Sequence, residues 1–340
     1  MRAPRLLPVL LPILMAAPLV AGDEPDPLAA LQHGQVSLLL RPRYEAVDDR
    51  GARRTADALT DRLVLGYRTG AWQGLSAYVE FESVTALQTP PRYFVPQTGY
   101  GNPSRAAVVD PALTQVNQLY LAWKGLQVGR MAVNLDDQRF LGTVGWRQND
   151  QTFTGASFAN ATWIPRTSFT VARFTQVAPI TGITRDLRLD VVNARVALWT
   201  GTHVSLFRYA SEELSAPAAS LAHTGARLEG GWKALRFEAS YAVQRPWREA
   251  TAATTPEAGY RLAGLGWAFT PSHTVMLEQE ALEPGFRTPY ATLHAWNGWA
   301  DRFLTTPATG LRDRFVRYRG KLGAWSLEAS VHGFHAQAEG

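Results

Sequence analysis

The sequence predicts an all-β protein, an antiparallel transmembrane β-barrel with about fifteen strands present and roughly 16–18 in a complete chain. Three observations carry that expectation. Segments such as 203–212, 235–244 and 325–332 alternate apolar and polar residues with period two, and no helical stretch interrupts the train. The links between segments alternate short and long, the rhythm of tight periplasmic turns and extended external loops. An N-terminal leader precedes the first segment.

The leader has Arg2 and Arg5 in a basic n-region, a proline-broken apolar run from Leu6 to Val20, and small residues at Ala16, Ala17, Ala21 and Gly22. That is the make-up of a secretory signal peptide, spanning 1–21 with cleavage after Ala21, and it leaves 22–340 as one outer-membrane barrel. No other run approaches the ~18 uninterrupted apolar residues of a spanning helix, so a membrane location requires strands. The chain has no cysteine, which excludes disulfides and thiolate metal sites. The net charge of +5 falls to +3 once Arg2 and Arg5 leave with the leader, too little to point to nucleic acid.

Strands are expected near 35–45, 59–69, 74–84, 115–124, 126–134, 151–160, 166–177, 187–200 and 202–212. Six more follow near 220–230, 234–245, 258–270, 273–283, 311–322 and 324–336. Short links at 70–73, 124–125, 161–165, 200–201, 230–233, 270–272 and 322–323 carry the Gly, Pro or Ser of tight hairpins. Trp72, Trp123, Trp199, Trp232, Trp267 and Trp325 lie beside these short links, where an interfacial girdle belongs.

Within strands the two faces separate by residue type. Val36, Leu38 and Leu40 alternate with Ser37, Leu39, Arg41 and Arg43. Leu75, Ala77, Val79 and Phe81 oppose Ser76, Tyr78, Glu80 and Glu82. Leu235, Phe237, Ala239, Tyr241 and Val243 oppose Arg236, Glu238, Ser240 and Gln244. Turning the polar face inward furnishes a lumen with Arg41, Arg43, Arg62, Arg68, Arg195, Arg227 and Arg236, interleaved with Glu80, Glu82, Glu229, Glu238, Glu278 and Glu328. Such a row concentrates anions and offers forked donors to carboxylates and phosphates; alternatively the same charges pair with one another and knit the wall. Strands 126–134, 202–212 and 311–322 have ambiguous parity, which leaves Arg130, Arg208, Arg317 and Arg319 unplaced and suggests a bulge in each.

Two long links add candidates. Arg139 and Arg147 flank Gly142 and Gly145, bracketed by Asp136, Asp137 and Asp150; a loop of this kind folds back and packs by Arg–Asp pairs, narrowing the lumen or merely fixing itself. The 284–310 link carries His294, Trp296, Asn297, Trp299 and Asp301, residues suited to stacking on sugar rings or to capping the barrel.

Three stretches resemble the alginate-export family of bacterial outer-membrane porins. They are GRMAVNLDDQRFLGTVGWRQNDQTF at 129–153, ALTDRLVLGYRTGAWQGLSAYVEFESV at 58–84 and TPYATLHAWNGWADRFLTTPATGL at 288–311, with 110–121 adding to them. The resemblance implies a wide, arginine-rich pore of the kind that exports a polyuronate. Its partners would be membrane lipid, the anionic solute or polyuronate, and periplasmic secretion components.

The leading functional expectation is therefore an outer-membrane porin for anionic solutes, including export of an acidic polysaccharide such as alginate; the alternative is a general small-solute porin with no polysaccharide role. A barrel enzyme finds no support: none of His33, His203, His223, His273, His294, His332 and His335 sits in a nucleophile motif, and Gly-x-Ser-x-Gly is absent. Asp136–Asp137 lacks the spacing of a calcium loop, so neither metal nor cofactor is expected. An odd strand count from a periplasmic N-terminus conflicts with the even numbers of single-chain bacterial barrels, and the expectation drawn from it is a chain that stops one to three strands before closure.

Overall fold

The computed structural model describes residues 23–49, 51, 53–298 and 303–337. The expected signal peptide, Trp299 and Asp301 lie outside them. The strands are β1 (Gln35–Val47), β2 (Ala56–Arg68), β3 (Leu75–Ala86), β4 (Phe94–Val95), β5 (Tyr100–Gly101), β6 (Leu113–Trp123), β7 (Leu126–Met131), β8 (Thr152–Asn160) and β9 (Thr167–Ala178). They continue as β10 (Arg185–Trp199), β11 (Thr202–Glu213), β12 (Leu221–Trp232), β13 (Leu235–Pro246), β14 (Ala258–Thr270), β15 (His273–Leu282), β16 (Leu311–Leu322) and β17 (Trp325–His335). Fifteen of them follow chain order in one antiparallel sheet, and β4 and β5 form a separate hairpin inside the link between β3 and β6. The fifteen expected strands are thus present, with ends within about three residues of expectation.

Period two makes two unlike faces. On one, Val36, Leu38 and Leu40 of β1, Leu63 and Leu65 of β2, and Leu277, Val316 and Val331 farther along are exposed, Leu38 at 72%. On the other, Arg62, Glu80, Glu82, Arg227, Glu278 and Arg317 are buried, Glu82 at 1%. A water-soluble sheet does the reverse. Bare aliphatics outside and sequestered charge inside is what a spanning sheet requires, because lipid solvates the first and would strand the second. Trp123, Trp199, Trp232, Trp267 and Trp325 are exposed on the apolar side next to short turns, as an interfacial girdle demands; Trp72 is only half-buried and pairs back onto Leu75.

The bulges fall elsewhere than expected. Register shifts occur at Glu80/Phe81 in β3 against β6, at Ala197/Trp199 in β10, and at Ala268/Thr270 in β14. The first inserts Asn117 into the inward face, where its amide donates to Glu80 (2.8 Å); the second lets Trp199 turn outward. The β11–β12 and β15–β16 ladders are unbroken. Plain alternation therefore turns Arg208 outward and Arg317 inward, correcting the bulges expected there. Strand β7 does break its alternation, at Gly129 (φ 136°), so that Val128 is exposed while Arg130 turns inward, and it ends at Met131, short of the expected 134.

Two compact units divide the chain. Unit 1 comprises Met1–Asn134, Leu141–Ala156 and Gln176–Arg185, and holds β1, β2, β3, β6 and β7 in that sheet order. It also holds two features the alternation could not announce. A one-and-a-half-turn helix, α1 (Pro27–Gln32), is capped by Asp26, whose carboxylate accepts from Ala29 N at 2.8 Å; it docks on the β2–β3 turn, with Gly70 N donating to Ala30 O (2.8 Å). The β4–β5 hairpin packs Tyr93, Val95, Ala106 and Val108 against Ala56 and Ala58 of β2, a small apolar core over the long-link end. Unit 2 comprises Leu135–Phe140, Ser157–Thr175 and Asp186–Gly340, with β10 to β17 in chain order.

Placing Arg at Leu277, in the middle of the apolar face, is expected to destabilise the folded protein by about 2–4 kcal/mol. Urea titration of folding into phosphatidylcholine vesicles checks this, and Leu277→Ala gives the comparison without a charge.

Candidate functional site

The inward face of unit 1 is built on cross-strand neighbours. Arg41 of β1 faces Arg62 of β2 in register, and two guanidinium groups side by side need anions or carbonyls between them. Residues 145–150 supply both. Arg41 donates from Nε to Gln148 Oε1 (2.9 Å), from Nη1 to Gly145 O (3.0 Å), and from Nη2 to Arg147 O. Arg43 donates to Trp146 O (2.5 Å), lies 4.2 Å above the Trp146 ring, and pairs with Glu45 at 2.7 Å. Arg62 makes a two-pronged pair with Asp150 and meets Glu82 at 2.6 Å. Arg147 reaches back to Glu45 (3.2 Å) and lies 3.8 Å from Asp110, whose other oxygen accepts from Gln148 N at 2.9 Å.

Two other inward arginines of unit 1, Arg68 and Arg130, have no carboxylate partner among the described residues. Arg68 donates to Tyr120 OH (2.9 Å) and lies over the Tyr78 ring at 4.8 Å. Arg130, unplaced by the sequence, turns inward: Nε donates to Thr152 and Nη2 to Gln115, whose amide in turn donates to Glu82. Glu80 is satisfied by neutral donors, Tyr78 OH, Asn117 and Gln118.

Unit 2 holds a longer chain of charge. Asp136 accepts from Asn193 (2.7 Å) and Ser205 (2.6 Å), and Asp137 meets Arg227 at 2.5 Å. Arg227 also holds Glu238 (2.8 Å) and Glu229 (3.2 Å); Arg195 holds Glu229 (2.5 Å). Arg317 bridges Glu238 (3.2 Å) and Glu278, and Arg319 pairs with Glu328 at 3.0 Å. Arg236 shares the face of Glu238 but spends its donors on the Lys233 and Leu235 carbonyls of the adjoining turn.

Residues 135–140 are locked to this wall. Arg139, 1% exposed, pairs with Glu280 at 2.7 Å and lies over Tyr260 and Trp296. Phe140 fits among Phe207, Tyr209, His223, Tyr260 and Phe286. Burial raises the Asp137 carboxyl above its ordinary pKa against the opposing pull of Arg227. Burial, the largest influence on Arg139, would lower it, and Glu280, Tyr260 and Asp137 together outweigh it, leaving the guanidinium raised. The expected Arg–Asp pairs thus exist with one change: Arg139, Arg147, Asp137 and Asp150 take their ion partners from the strands and from Asp110, not from one another. Trp296 is buried under Arg139 and presents no open ring to a sugar; His294 is half-buried and Asn297 donates to Glu280 at 3.3 Å.

Glu45, Asp110, Gln148, Arg130, Arg317 and Glu280 were not among the site residues read from sequence. Their one advance signal is parity: Arg317 and Glu280 become inward once the ladder is known to be unbroken. A further cluster, Asp313–His332–Ser330 on β16 and β17, links Asp313 to His332 Nδ1 (2.7 Å) and Ser330 to Nε2 (3.0 Å).

No protein-family model matches the sequence, and no curated protein matches it. Solved structures do. Pseudomonas aeruginosa OpdO superposes with a TM-score of 0.62 at 15% identity, covering 87% of this chain and 78% of that one. Pseudomonas aeruginosa OpdK with vanillate gives 0.61 at 14%, covering 85% and 78%. Pseudomonas aeruginosa OccK2 (OpdF) in complex with glucuronate gives 0.61 at 14%, covering 86% and 76%. The fold is that of an outer-membrane β-barrel porin. These neighbours are channels, not enzymes, and they belong to the substrate-specific OprD-type porins. That overturns the resemblance to the alginate-export family, a different barrel family, and with it the expectation of polyuronate export.

Truncating Arg139 leaves Glu280 buried without its partner, so Arg139→Ala is expected to cost about 3–5 kcal/mol. Adding Glu280→Gln recovers part of the loss. Urea midpoints of the two single variants and the double variant, read as a double-mutant cycle, check both statements.

Proposed function

We propose that this chain is a passive channel for small anionic solutes, carboxylates above all. The observation that carries the reading is the division among inward arginines of unit 1. Arg62 and Arg147 are neutralised by Asp150, Glu82 and Glu45, whereas Arg41, Arg68 and Arg130 have no carboxylate partner among the described residues. Arg41 has all three nitrogens engaged and acts as fixed charge. Arg68 and Arg130 keep unspent N–H donors beside hydroxyl and amide groups, the equipment for holding a planar carboxylate briefly and releasing it. The tilted Tyr78–Tyr120 pair next to Arg68, with ring centroids 5.4 Å apart, adds an apolar surface to the same spot. Vanillate and glucuronate, the molecules bound by two structural neighbours, are both small carboxylates, which supports small solutes over a polymer.

The competing reading, a general porin without charge preference, is favoured by the many inward arginines already paired with acids. A salt gradient across a planar bilayer separates the two. Anion-selective reversal potentials are expected, and Arg68→Gln with Arg130→Gln is expected to lower the anion-to-cation permeability ratio several-fold, since each removed charge acts in a low-dielectric wall. Cation preference in the unaltered protein would sink the proposal.

A further inference from the structure

The outward face of unit 2 has a feature that transport through the lumen does not use. From the tryptophan girdle at the short turns, β10, β11 and β13 run through an apolar stretch and then reach arginine. Along β10, Leu198, Val196, Ala194 and Val192 face outward between Trp199 and the Asp190 and Arg188 pairings. Trp199 and Arg188 are eleven residues apart, which at ~3.3 Å per residue and a tilt of ~40° is about 28 Å. An apolar band is ~25 Å tall. Arg188 therefore sits at the level of the external headgroups, and Arg245 at the far end of β13 sits comparably high.

Four arginines of β10, β11 and the end of β13 reach that level: the Arg208 backbone is in register with Val192, four residues below Arg188, and its side chain extends up to Trp247, past the end of β13. Arg208 of β11 and Arg248, just past β13, both lie over the Trp247 ring, at 4.9 and 5.3 Å. Arg208 also donates to Thr224 Oγ1 of β12 (3.0 Å) and has no carboxylate partner among the described residues. Arg188 and Arg248 share one acid, Glu212, at 3.2 and 3.7 Å. Arg245 pairs with the exposed Glu257, at 3.4 Å. With Glu249, exposed and next to Arg248 in the chain, three acids stand against four cations, an excess of one positive charge. Between Arg208 and Arg245 the β12 outward face offers only Ala222 and Thr224, so the arginines rim a shallow strip with small residues at its floor. Below it, Leu206 and Tyr241 are exposed to lipid chains.

We propose that this rim is a binding site for a lipid phosphomonoester of the external leaflet, a phosphorylated glycolipid whose phosphate the Arg208–Arg245–Arg248 group holds. Acyl chains would then lie along Leu206 and Tyr241. The net positive charge attracts an anion, and guanidinium forks match the several oxygens of a phosphomonoester. The inference rests on the membrane fold and is independent of which solute the lumen passes.

The full chain in detergent micelles is mixed with bis-phosphorylated lipid A, with the same lipid after removal of its phosphates, or with phosphatidylethanolamine, and bound lipid is counted by native mass spectrometry. The phosphorylated form is expected to be retained at least about tenfold more tightly than either other lipid, each basic residue near an anionic headgroup contributing on the order of fivefold. R208Q/R245Q/R248Q is expected to bring the three lipids close to equality while leaving the reversal potential in a salt gradient unchanged. Equal retention of phosphorylated and dephosphorylated lipid by the unaltered protein overturns the proposal, as does a folded triple variant that keeps the preference. Should heat-modifiable mobility show the triple variant unfolded, the comparison of phosphorylated with dephosphorylated lipid on the unaltered chain decides alone.

Discussion

Everything in this molecule depends on one constraint: a strand that crosses lipid must satisfy its backbone sideways, and its side chains then alternate between two incompatible solvents. Leu38 faces one and Arg41 the other, three residues apart on β1. A shift by a single residue would drive Arg41 and Arg43 into hydrocarbon and Leu38 into a polar interior, so register is fixed by the cost of the wrong face. The bulges show the same pressure. The extra residue at Asn117 is tolerated because its amide finds Glu80, and the shift near Trp199 places an indole where an interface exists to receive it.

The second level of organisation follows from the first. Arginines confined to the inward face are buried and crowd one another, as Arg41 and Arg62 do in register. Each needs an oxygen. The strands alone supply too few, and the long link after β7 brings the rest: Asp150 to Arg62, Asp137 to Arg227, and the carbonyls of 145–147 to Arg41 and Arg43. In return Arg139 and Arg147 from that link are satisfied by Glu280 and Glu45 of the wall. Neither the wall arginines nor the link residues would be stable in place without the other, because a buried ion stripped of its partner costs far more than the pair gains.

This division explains how much could be read in advance. Strand positions, the two faces and the tryptophan girdle are local properties of period two, and they were legible to within a few residues. The inward rank of Arg41, Arg62, Arg68, Arg227 and Glu238 was legible for the same reason. Partnerships were not. That Arg139 would meet Glu280, 141 residues later, or that Arg147 would meet Glu45, depends on how a link folds back onto strands distant in sequence. Parity failed in β7, where Gly129 breaks the alternation before Arg130, and where charge stands on both faces: Arg208 lies outward at an interface and Arg317 inward among glutamates, and nothing in their own segments distinguishes the two. Helix α1 was missed because six residues are too few to establish a helical period.

The same logic accounts for the misleading resemblance. In the 129–153 stretch, the residues that carry the likeness to polyuronate exporters are largely those that pin the link: Asp137, Arg139, Arg147, Gln148 and Asp150 are each spent on a named partner. Any wide barrel that must hold a long link against a charged inner wall needs acids, arginines and amides there, with Gly129 at φ 136° letting the strand close up on Leu119 O. Such a motif reports the mechanical problem of anchoring and leaves the cargo unspecified. On the proposed reading cargo is set instead by the charges that anchoring leaves over, and in unit 1 those are Arg68 and Arg130, with Arg41 as fixed background. A porin's selectivity is then the remainder after its structural ion pairs are subtracted, which is why counting arginines along the chain overstates it and following each to its partner does not.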